Sequence, residues 1–327
     1  MTWEPHWGIC SWGYKMVAPN DIACFREVVL FMNEDLNFPN SLKPRVIEVF
    51  ASMAEEGHEE NLIVGAEMQK FASNNNILLH ACGFNPFYLN PGKKIPSPHL
   101  TSRDSAEQEA AARRIERGIE HAAVLAPPGK GILMGPSYCR HEYFGEKNAG
   151  LYDGERPLLV STLKNRIAPF ATARGARIAL EPLNRSETYL IMPGDDATDI
   201  VREIDEKSIG LNVDTVHWDL EADGSLEESL DKVFRTGYVL DFHLSDSHRK
   251  KWGSGSIGSR AEAIFRVVSK TGYVGPIVQE DFCPDLHSAL KIWRPNKLSP
   301  SDVIKYGVET TRKNYGKIYD LTTQRLL

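Results

Sequence analysis

The fold and the site are both indicated by residues 177–187, which read Arg177-Ile-Ala-Leu-Glu181-Pro-Leu-Asn-Arg-Ser-Glu187. Here a hydrophobic run ends in an ionisable residue. Three later runs end in the same way, at Asp214, His243 and Glu280. Because a buried strand rarely carries a charged side chain into the interior, such an ending indicates a site at the carboxyl edge of a parallel sheet. Four endings in succession predict a metal site at that edge.

Short β-rich runs alternate with longer amphipathic runs along the whole chain. Eight such units close naturally into one (β/α)8 TIM barrel domain over residues 1–327, an α/β fold, and an open doubly wound sheet is the alternative. The predicted strands are Trp7–Trp12, Arg45–Phe50, Ile77–Cys82, Gly131–Gly135, Arg177–Glu181, Gly210–Asp214, Val239–His243 and Pro276–Glu280.

The predicted helices follow the apolar periodicity between these strands, and Asp104-x-x-Glu107 resembles a capping box. They are Glu59–Asn74, Asp104–Leu125, Leu158–Ala173, Asp196–Ile204, Leu226–Phe234, Arg260–Thr271 and Ser301–Tyr315. Two long stretches without periodicity, residues 84–99 and 136–155, would leave the carboxyl rim of the barrel. Connections of this length are usually functional lids or disordered, and because both leave that rim we expect them to form walls of the active site.

The composition narrows the class of partner. The 327 residues carry a formal net charge of −6, which gives no long-range attraction for nucleic acid or for an anionic membrane. The five cysteines are scattered without a Cys-x-x-Cys pair, so we expect reduced thiols. The first residues lack the features of a signal peptide, and no later stretch has the ~18 apolar residues of a membrane span. We therefore expect a cytoplasmic protein that acts on small neutral molecules.

The four strand endings form a donor set of three carboxylates and one imidazole, provided by Glu181, Asp214, His243 and Glu280. Taken singly, each is more typical of a capped loop or a solvated charge, but the joint pattern favours ligands. An oxygen-rich set of this kind suits Mn2+, and also Co2+ or Mg2+, better than structural zinc. Such an ion lowers the barrier to removing a proton beside a carbonyl, and two glutamates could then serve as base and acid.

Longer motifs around these residues resemble the sugar isomerase/epimerase superfamily, whose fold is a xylose isomerase-like TIM barrel. The resemblance is strongest to its ketose 3-epimerase branch, of the D-tagatose and D-psicose 3-epimerase type. The motifs are Leu-Glu181-Pro-Leu-Asn-Arg-x-Glu187, Asp214-Thr-x-His217, His243 with Arg249 six residues later, and Glu280 followed by Lys-Ile-Trp-Arg294.

The resemblance implies a role for each residue of these motifs. It implies that Glu181 and Glu280 transfer the proton as well as binding the metal with Asp214 and His243. It also implies that the sugar oxygens are held by Glu187, His217 and Arg249. The expected reaction is proton abstraction beside the carbonyl of a keto sugar, with epimerisation or isomerisation as the outcome.

His141 lies six residues beyond the predicted fourth strand and indicates a second possible reaction. An imidazole there could serve as an additional general base, although it could also be an ordinary surface residue. With such a base the chain resembles the catalytic subunits of C-glycoside deglycosidases, which cleave the C–C bond of a 3-keto C-glycoside. That resemblance implies a small β subunit as partner, whereas an epimerase would form a homo-oligomer.

Two further classes remain as alternatives. One is a non-catalytic sugar-binding barrel, which the four converging ligands argue against. The other is phosphodiesterase chemistry of the endonuclease IV kind, which needs additional metal ligands and a basic face that the sequence lacks.

Overall fold

The fold was taken from a computed structural model of the chain. It describes residues 6–10, 22–34, 46–53, 55–83, 98–135, 151–185, 188–247, 252 and 255–280.

Eight parallel strands form a closed barrel within the described part of the chain. Each strand pairs with the next, and β1 pairs with β8 from His6 beside Pro276 to Ile9 beside Gln279. The (β/α)8 prediction is therefore confirmed, and the open-sheet alternative is wrong. The strands are β1 His6–Cys10, β2 Val46–Phe50, β3 Leu78–Cys82, β4 Gly131–Met134, β5 Ala176–Leu180, β6 Ile209–Asp214, β7 Val239–Leu244 and β8 Pro276–Gln279.

The helices surround the barrel and bury their apolar faces against it. In α8, for example, the buried residues Leu226, Leu230, Val233 and Phe234 recur at helical spacing. The helices are α1 Ile22–Glu34, α2 His58–Asn74, α3 Ser105–Leu125, α4 Leu151–Thr162, α5 Ala168–Ala173, α6 Asp195–Ile204, α7 Thr215–Glu221, α8 Leu226–Arg235 and α9 Ala261–Lys270. A π-helical turn joins α4 to α5, and a short 3-10 turn precedes α9. None of the described helices is long and apolar enough to cross a membrane.

Helix α3 begins where the sequence predicts. The Asp104 carboxylate accepts hydrogen bonds from the backbone N–H groups of Ala106 and Glu107, at 2.8 and 3.4 Å. The Glu107 carboxylate accepts a hydrogen bond from the Ser102 hydroxyl at 2.6 Å. The two bonds to Asp104 satisfy backbone donors that the first helical turn leaves without an intrahelical partner.

Some predicted boundaries differ from the structure. The irregular stretch expected over 136–155 ends earlier, because α4 begins at Leu151. The first turns of α4 are held by buried Glu155, which accepts hydrogen bonds from the Thr101 and Tyr189 hydroxyls at 2.7 Å each. Helices α1 and α7 were not predicted. Residues 84–97 and 136–150 and the helix predicted at Ser301–Tyr315 lie outside the described residues.

The barrel interior has an apolar part and a polar part. Alternate strand residues form an apolar cluster inside the barrel, of Cys10, Val46, Phe50, Cys82, Ile132, Met134, Ala179 and Val278. Cys10 and Cys82 are free thiols, in agreement with the expectation for these two residues. The same interior also contains fully buried Glu48, Asn212 and Asp241.

A β-bulge directs residues of β7 into this interior. Leu211 of β6 pairs with Val239, but Asn212 pairs with Asp241, so Leu240 is an extra residue in β7. A bulge of this kind changes the direction of the side chains that follow it. Asp241 and His243 both lie in the barrel interior as a result.

Close packing at Gly210 gives a test of the barrel. A Cβ atom at this position would lie 2.5 Å from the Tyr238 carbonyl oxygen and 2.5 Å from Leu240 Cγ. We predict that Gly210→Ala lowers the free energy of unfolding by about 1–3 kcal/mol through overpacking, measured by urea denaturation. The control is Gly154→Ala on the exposed side of α4, which should leave stability unchanged or raise it by up to about 1 kcal/mol. Equal stability of the two variants would contradict the close strand packing.

Candidate metal centre and active site

Four ionisable side chains meet at the carboxyl end of the barrel. Glu181 directly follows β5, Asp214 ends β6, His243 is the fifth residue of β7 and Glu280 directly follows β8. One donor atom from each side chain lies within 4.8 Å of the others. Three of the four are buried, and the Glu181 side chain is 16% exposed. The structure thus brings together the four residues selected from the sequence, and their role as ligands remains a prediction.

This cluster has the donor chemistry of a site for a hard divalent cation. Three carboxylates and one imidazole nitrogen match the preferences of Mn2+, Co2+ or Mg2+. Carboxylates at this separation repel one another, and burial strengthens the repulsion because it removes screening by water. A cation bound among the carboxylates would offset both their mutual repulsion and the cost of burying their charges, so the residues present fit such an ion.

A hydroxyl group links two of the candidate ligands. Ser245 Oγ lies 3.2 Å from Asp214 Oδ2 and 3.3 Å from Glu280 Oε2, within donating distance of each. Ser245 is itself held to α7, because its N–H donates to Thr215 Oγ1 at 2.9 Å and Thr215 Oγ1 donates to its carbonyl at 2.6 Å. Sequence reasoning missed Ser245, which follows His243 by two residues. Its hydroxyl lies between the two carboxylates and can donate its one proton to either of them, or to the Glu280 carbonyl at 3.2 Å.

His217 lies beside the cluster in the first turn of α7 and is completely buried. Its Nδ1 accepts a hydrogen bond from the Asn184 backbone N–H at 3.2 Å, and the Asn184 side-chain amide is 2.9 Å away. The ring proton of the neutral imidazole is therefore on Nε2. Nε2 lies 3.7 Å from Asp214 Oδ2 and 4.0 Å from Glu181 Oε1. This N–H group thus points toward the four-residue cluster.

The other predicted site residues, Glu187, Arg249 and His141, lie outside the described residues. Among the described residues after β7, the buried carboxylate of Asp246 binds the backbone of Ser247 and of residues 255–258. This carboxylate accepts hydrogen bonds from the backbone N–H groups of Ser247, Gly255, Ile257 and Gly258, at 2.7–3.1 Å. Gly255 is required here, since a Cβ atom would lie 2.5 Å from Asp246 Oδ1. Sequence reasoning missed Asp246, which follows His243 by three residues.

A fifth ionisable residue, Glu48 of β2, was also missed. Its carboxylate oxygens lie 3.1 Å from His243 Nε2. Burial raises the pKa of Glu48 to about 7, against the opposing effect of His243. Burial by itself would lower the pKa of His243, but the Glu48 and Glu280 carboxylates outweigh it and raise that pKa well above its ordinary value. The signal in the sequence was a single Glu inside an apolar strand, Val-Ile-Glu48-Val-Phe.

Gly135 gives a test of the Glu181 position. It directly follows β4 with a φ of +51°, and a Cβ atom there would lie 2.8 Å from Glu181 Oε2. We predict that Gly135→Ala weakens Mn2+ binding, because the methyl group displaces this carboxylate. Isothermal titration calorimetry would measure the change in Kd.

The matched control is Gly129→Ala. Gly129 has a similar φ of +76°, but a Cβ atom there would meet nothing within 4 Å. Both variants should lose about 1–2 kcal/mol of stability from the left-handed backbone, and only Gly135→Ala should lose Mn2+ affinity. Equal Mn2+ affinity in the two variants would contradict the position assigned to Glu181.

Comparison with known proteins identifies relatives of the chain. A ketose 3-epimerase from Arthrobacter globiformis is 29% identical over 202 residues, which are 60% of this chain and 65% of the relative. A 3-dehydro-D-guloside 4-epimerase from Escherichia coli (strain K12) is 28% identical over 170 residues, 51% of this chain and 62% of the relative. The chain therefore spans just under two thirds of the length of these curated relatives.

A solved structure and a family model also match the chain. A crystal structure of D-psicose 3-epimerase in the presence of D-fructose superposes with a TM-score of 0.73 at 21% identity, covering 97% of this chain and 99% of that one. The family model described as xylose isomerase-like TIM barrel matches residues 41–313. Because that match includes most of the sequence and seven of the eight barrel strands, the chain belongs to the xylose isomerase-like TIM barrel family.

Proposed function

We propose that this chain is a divalent-metal-dependent epimerase, which inverts a carbon atom next to the carbonyl group of a keto sugar. The observation that carries the proposal is the position of two glutamates. Glu181 follows β5 and Glu280 follows β8, three strands apart in a closed ring of eight. Their carboxylates enter the cluster from nearly opposite walls, where each could face one side of a bound sugar.

The names of the relatives support this reaction class. In a ketose, C3 lies next to the carbonyl at C2, and in a 3-dehydro glycoside, C4 lies next to the carbonyl at C3. Inversion at either carbon can proceed by the same proton transfer. The similarity to a ketose 3-epimerase and to a 3-dehydro-D-guloside 4-epimerase therefore supports a keto sugar, free or as a glycoside, as the substrate.

The proposed reaction uses the two glutamates in sequence. One carboxylate takes the proton from the carbon beside the carbonyl, and the electron pair of the C–H bond becomes that of the enolate. The other glutamate, in its protonated form, returns a proton to the opposite face of the same carbon. When bound, the divalent ion would polarise the sugar oxygens and so make this carbon more acidic. The configuration of the substrate decides which glutamate acts as the base.

His217 is proposed to hold a sugar oxygen during this transfer. Its Nε2–H group points into the cluster, because Asn184 occupies Nδ1. A buried neutral donor of this kind favours the negative charge that develops on oxygen as the enolate forms. Glu187 and Arg249 are proposed to hold further oxygens, on the motifs that contain them.

Replacing either glutamate by glutamine tests the proposal. Glutamine keeps the shape and one potential oxygen ligand but removes the basicity. We predict that Glu181→Gln and Glu280→Gln each lower turnover by at least about 10²-fold. The assay follows deuterium entering the inverted carbon of ketohexoses in D2O with the Mn2+-loaded protein.

The control is Glu116→Gln on the outer helix α3, where Glu116 pairs with Arg166 at 2.8 Å. This variant should keep wild-type turnover. Full deuterium incorporation in both glutamine variants would show that the base lies elsewhere. A wild-type protein that forms no epimer and incorporates no deuterium with any keto sugar would favour the non-catalytic barrel.

His141 separates epimerisation from C–C bond cleavage. Both reactions begin with the same proton removal, but cleavage of a 3-keto C-glycoside also requires a proton for the departing aromatic carbon. For an epimerase, we predict that His141→Ala changes sugar affinity by about 1 kcal/mol and leaves turnover intact. Release of the aglycone from a 3-keto C-glucoside by the wild type, lost in His141→Ala, would overturn the epimerase proposal. Such a result would support a lyase that works with a small β subunit.

A further inference from the structure

A layer of buried polar residues lies inside the barrel next to the metal centre, and the proposed reaction uses none of them. Glu48 of β2 pairs in register with His80 of β3. Asp241 of β7 completes the layer, with its Oδ2 3.0 Å from His80 Nδ1. Glu48 and Asp241 are completely buried and His80 is 2% exposed. Burial of a carboxylate has a cost of several kcal/mol, so these side chains require an explanation other than stability.

His243 connects this layer to the metal centre through its two ring nitrogens. Nε2 lies 3.1 Å from both Glu48 oxygens, of which Oε1 has hydrogen-bond geometry. Nδ1 lies on the other side, 3.2 Å from Asn212 Nδ2 and 3.5 Å from Glu280 Oε2. The imidazole ring thus spans the distance between Glu48 and the four-residue cluster.

This arrangement indicates which ring nitrogen faces the place where a cation would bind. A cation bound at Nδ1 would leave the His243 ring neutral, with its one proton on Nε2, where Glu48 Oε1 lies 3.1 Å away and can accept it. The Nδ1 lone pair then points toward Glu280 and the rest of the cluster. With the opposite tautomer, two acceptors would face each other at Glu48, and a proton would occupy the position of the metal.

Glu48, Asp241 and His243 also have donor atoms within 4.8 Å of one another, which could itself suggest a cation site. Two cations, one in each cluster, would require His243 to lose both ring protons. Asp241 is already hydrogen-bonded to His80. A hydrogen bond from His243 Nε2 to Glu48 Oε1 needs only one ring proton and leaves Nδ1 for the first cluster, and this makes it the better explanation.

We propose that Glu48 is a positioning residue, whose carboxylate holds the His243 ring with Nδ1 directed at the metal centre. This inference rests on the metal dependence proposed above. Carboxylates that accept the second N–H of a metal-bound histidine fix both its tautomer and its orientation, and their loss typically weakens metal affinity by about 10–100-fold.

The test compares three variants by calorimetric titration with Mn2+. Glu48→Leu removes the acceptor and should raise the Kd for Mn2+ by about 10–100-fold. Glu48→Gln removes the charge but retains an oxygen that can accept the N–H, so its Kd should rise much less. Asp241→Asn is the matched control, because it removes an equally buried charge and leaves the contact of Glu48 with His243 in place. Its Kd should remain close to that of the wild type.

These variants separate positioning from simple attraction between buried charge and cation. An equal rise in Kd for Glu48→Gln, Glu48→Leu and Asp241→Asn would mean that only charge matters, and would overturn the positioning role. Thermal unfolding of each variant confirms that it is folded at the temperature of the titration. If Glu48→Leu is unfolded, Glu48→Gln and Asp241→Asn decide the question, since positioning predicts a rise in Kd only for Glu48→Gln.

The proton on His243 Nε2 provides a readout that a purely structural role would not change. In the Zn2+-loaded, 15N-labelled wild type it should give a slowly exchanging downfield signal, which Glu48→Leu should lack. A wild-type protein that binds neither Mn2+ nor Zn2+ would overturn the metal centre and the positioning role together. A wild type that binds Mn2+, with an unchanged Kd in Glu48→Leu, would overturn the positioning role alone.

Discussion

The pairing of β1 with β8 closes the strand ring, and the geometry of the site depends on that closure. In a closed parallel barrel the carboxyl ends of all strands surround one small area. Residues that are 99 positions apart in the sequence, such as Glu181 and Glu280, therefore meet there. In an open sheet, the ends of β5 and β8 would be too far apart for Glu181 and Glu280 to contact the same ion.

The barrel interior has an apolar part and a polar part, which contribute differently to stability. Apolar side chains such as Phe50, Met134 and Val278 fill part of the interior and supply ordinary hydrophobic stabilisation. Carboxylates and imidazoles of β2, β3 and β7, with Glu280 after β8, fill another part, in contacts of 3.0–3.5 Å between side chains of different strands. These groups stabilise one another only partly. The four-residue cluster has the composition expected where a cation completes the balance of charge.

The sequence predicted the barrel well because hydrophobic runs and helical periodicity are local signals. All eight strands were located within two residues of their ends, and the ionisable residue at the end of each of the last four was correctly placed beside the others. The unpredicted helix α7 is short, and it depends on Asp214 accepting the Val216 N–H as its cap. The early start of α4 depends on the distant hydroxyls of Thr101 and Tyr189, which a local pattern does not reveal.

The residues that support the site were the least predictable part. Asn184, Ser245 and Asp246 are short polar residues of ordinary appearance in a loop, and only the folded chain shows what each one holds. Glu48 interrupted the apolar pattern of its strand and was a visible signal in the sequence. A charged residue inside an apolar strand is a feature that sequence reading could examine as a candidate partner of the site.

The proposed binding of one divalent ion by four strand ends can be tested by anomalous X-ray diffraction. Crystals of the Mn2+-loaded protein would be measured at the manganese absorption edge. We predict one ion for each chain, with oxygen or nitrogen atoms of Glu181, Asp214, His243 and Glu280 at about 2.0–2.3 Å from it. An anomalous peak at any other position, with these four side chains unligated, would contradict this prediction.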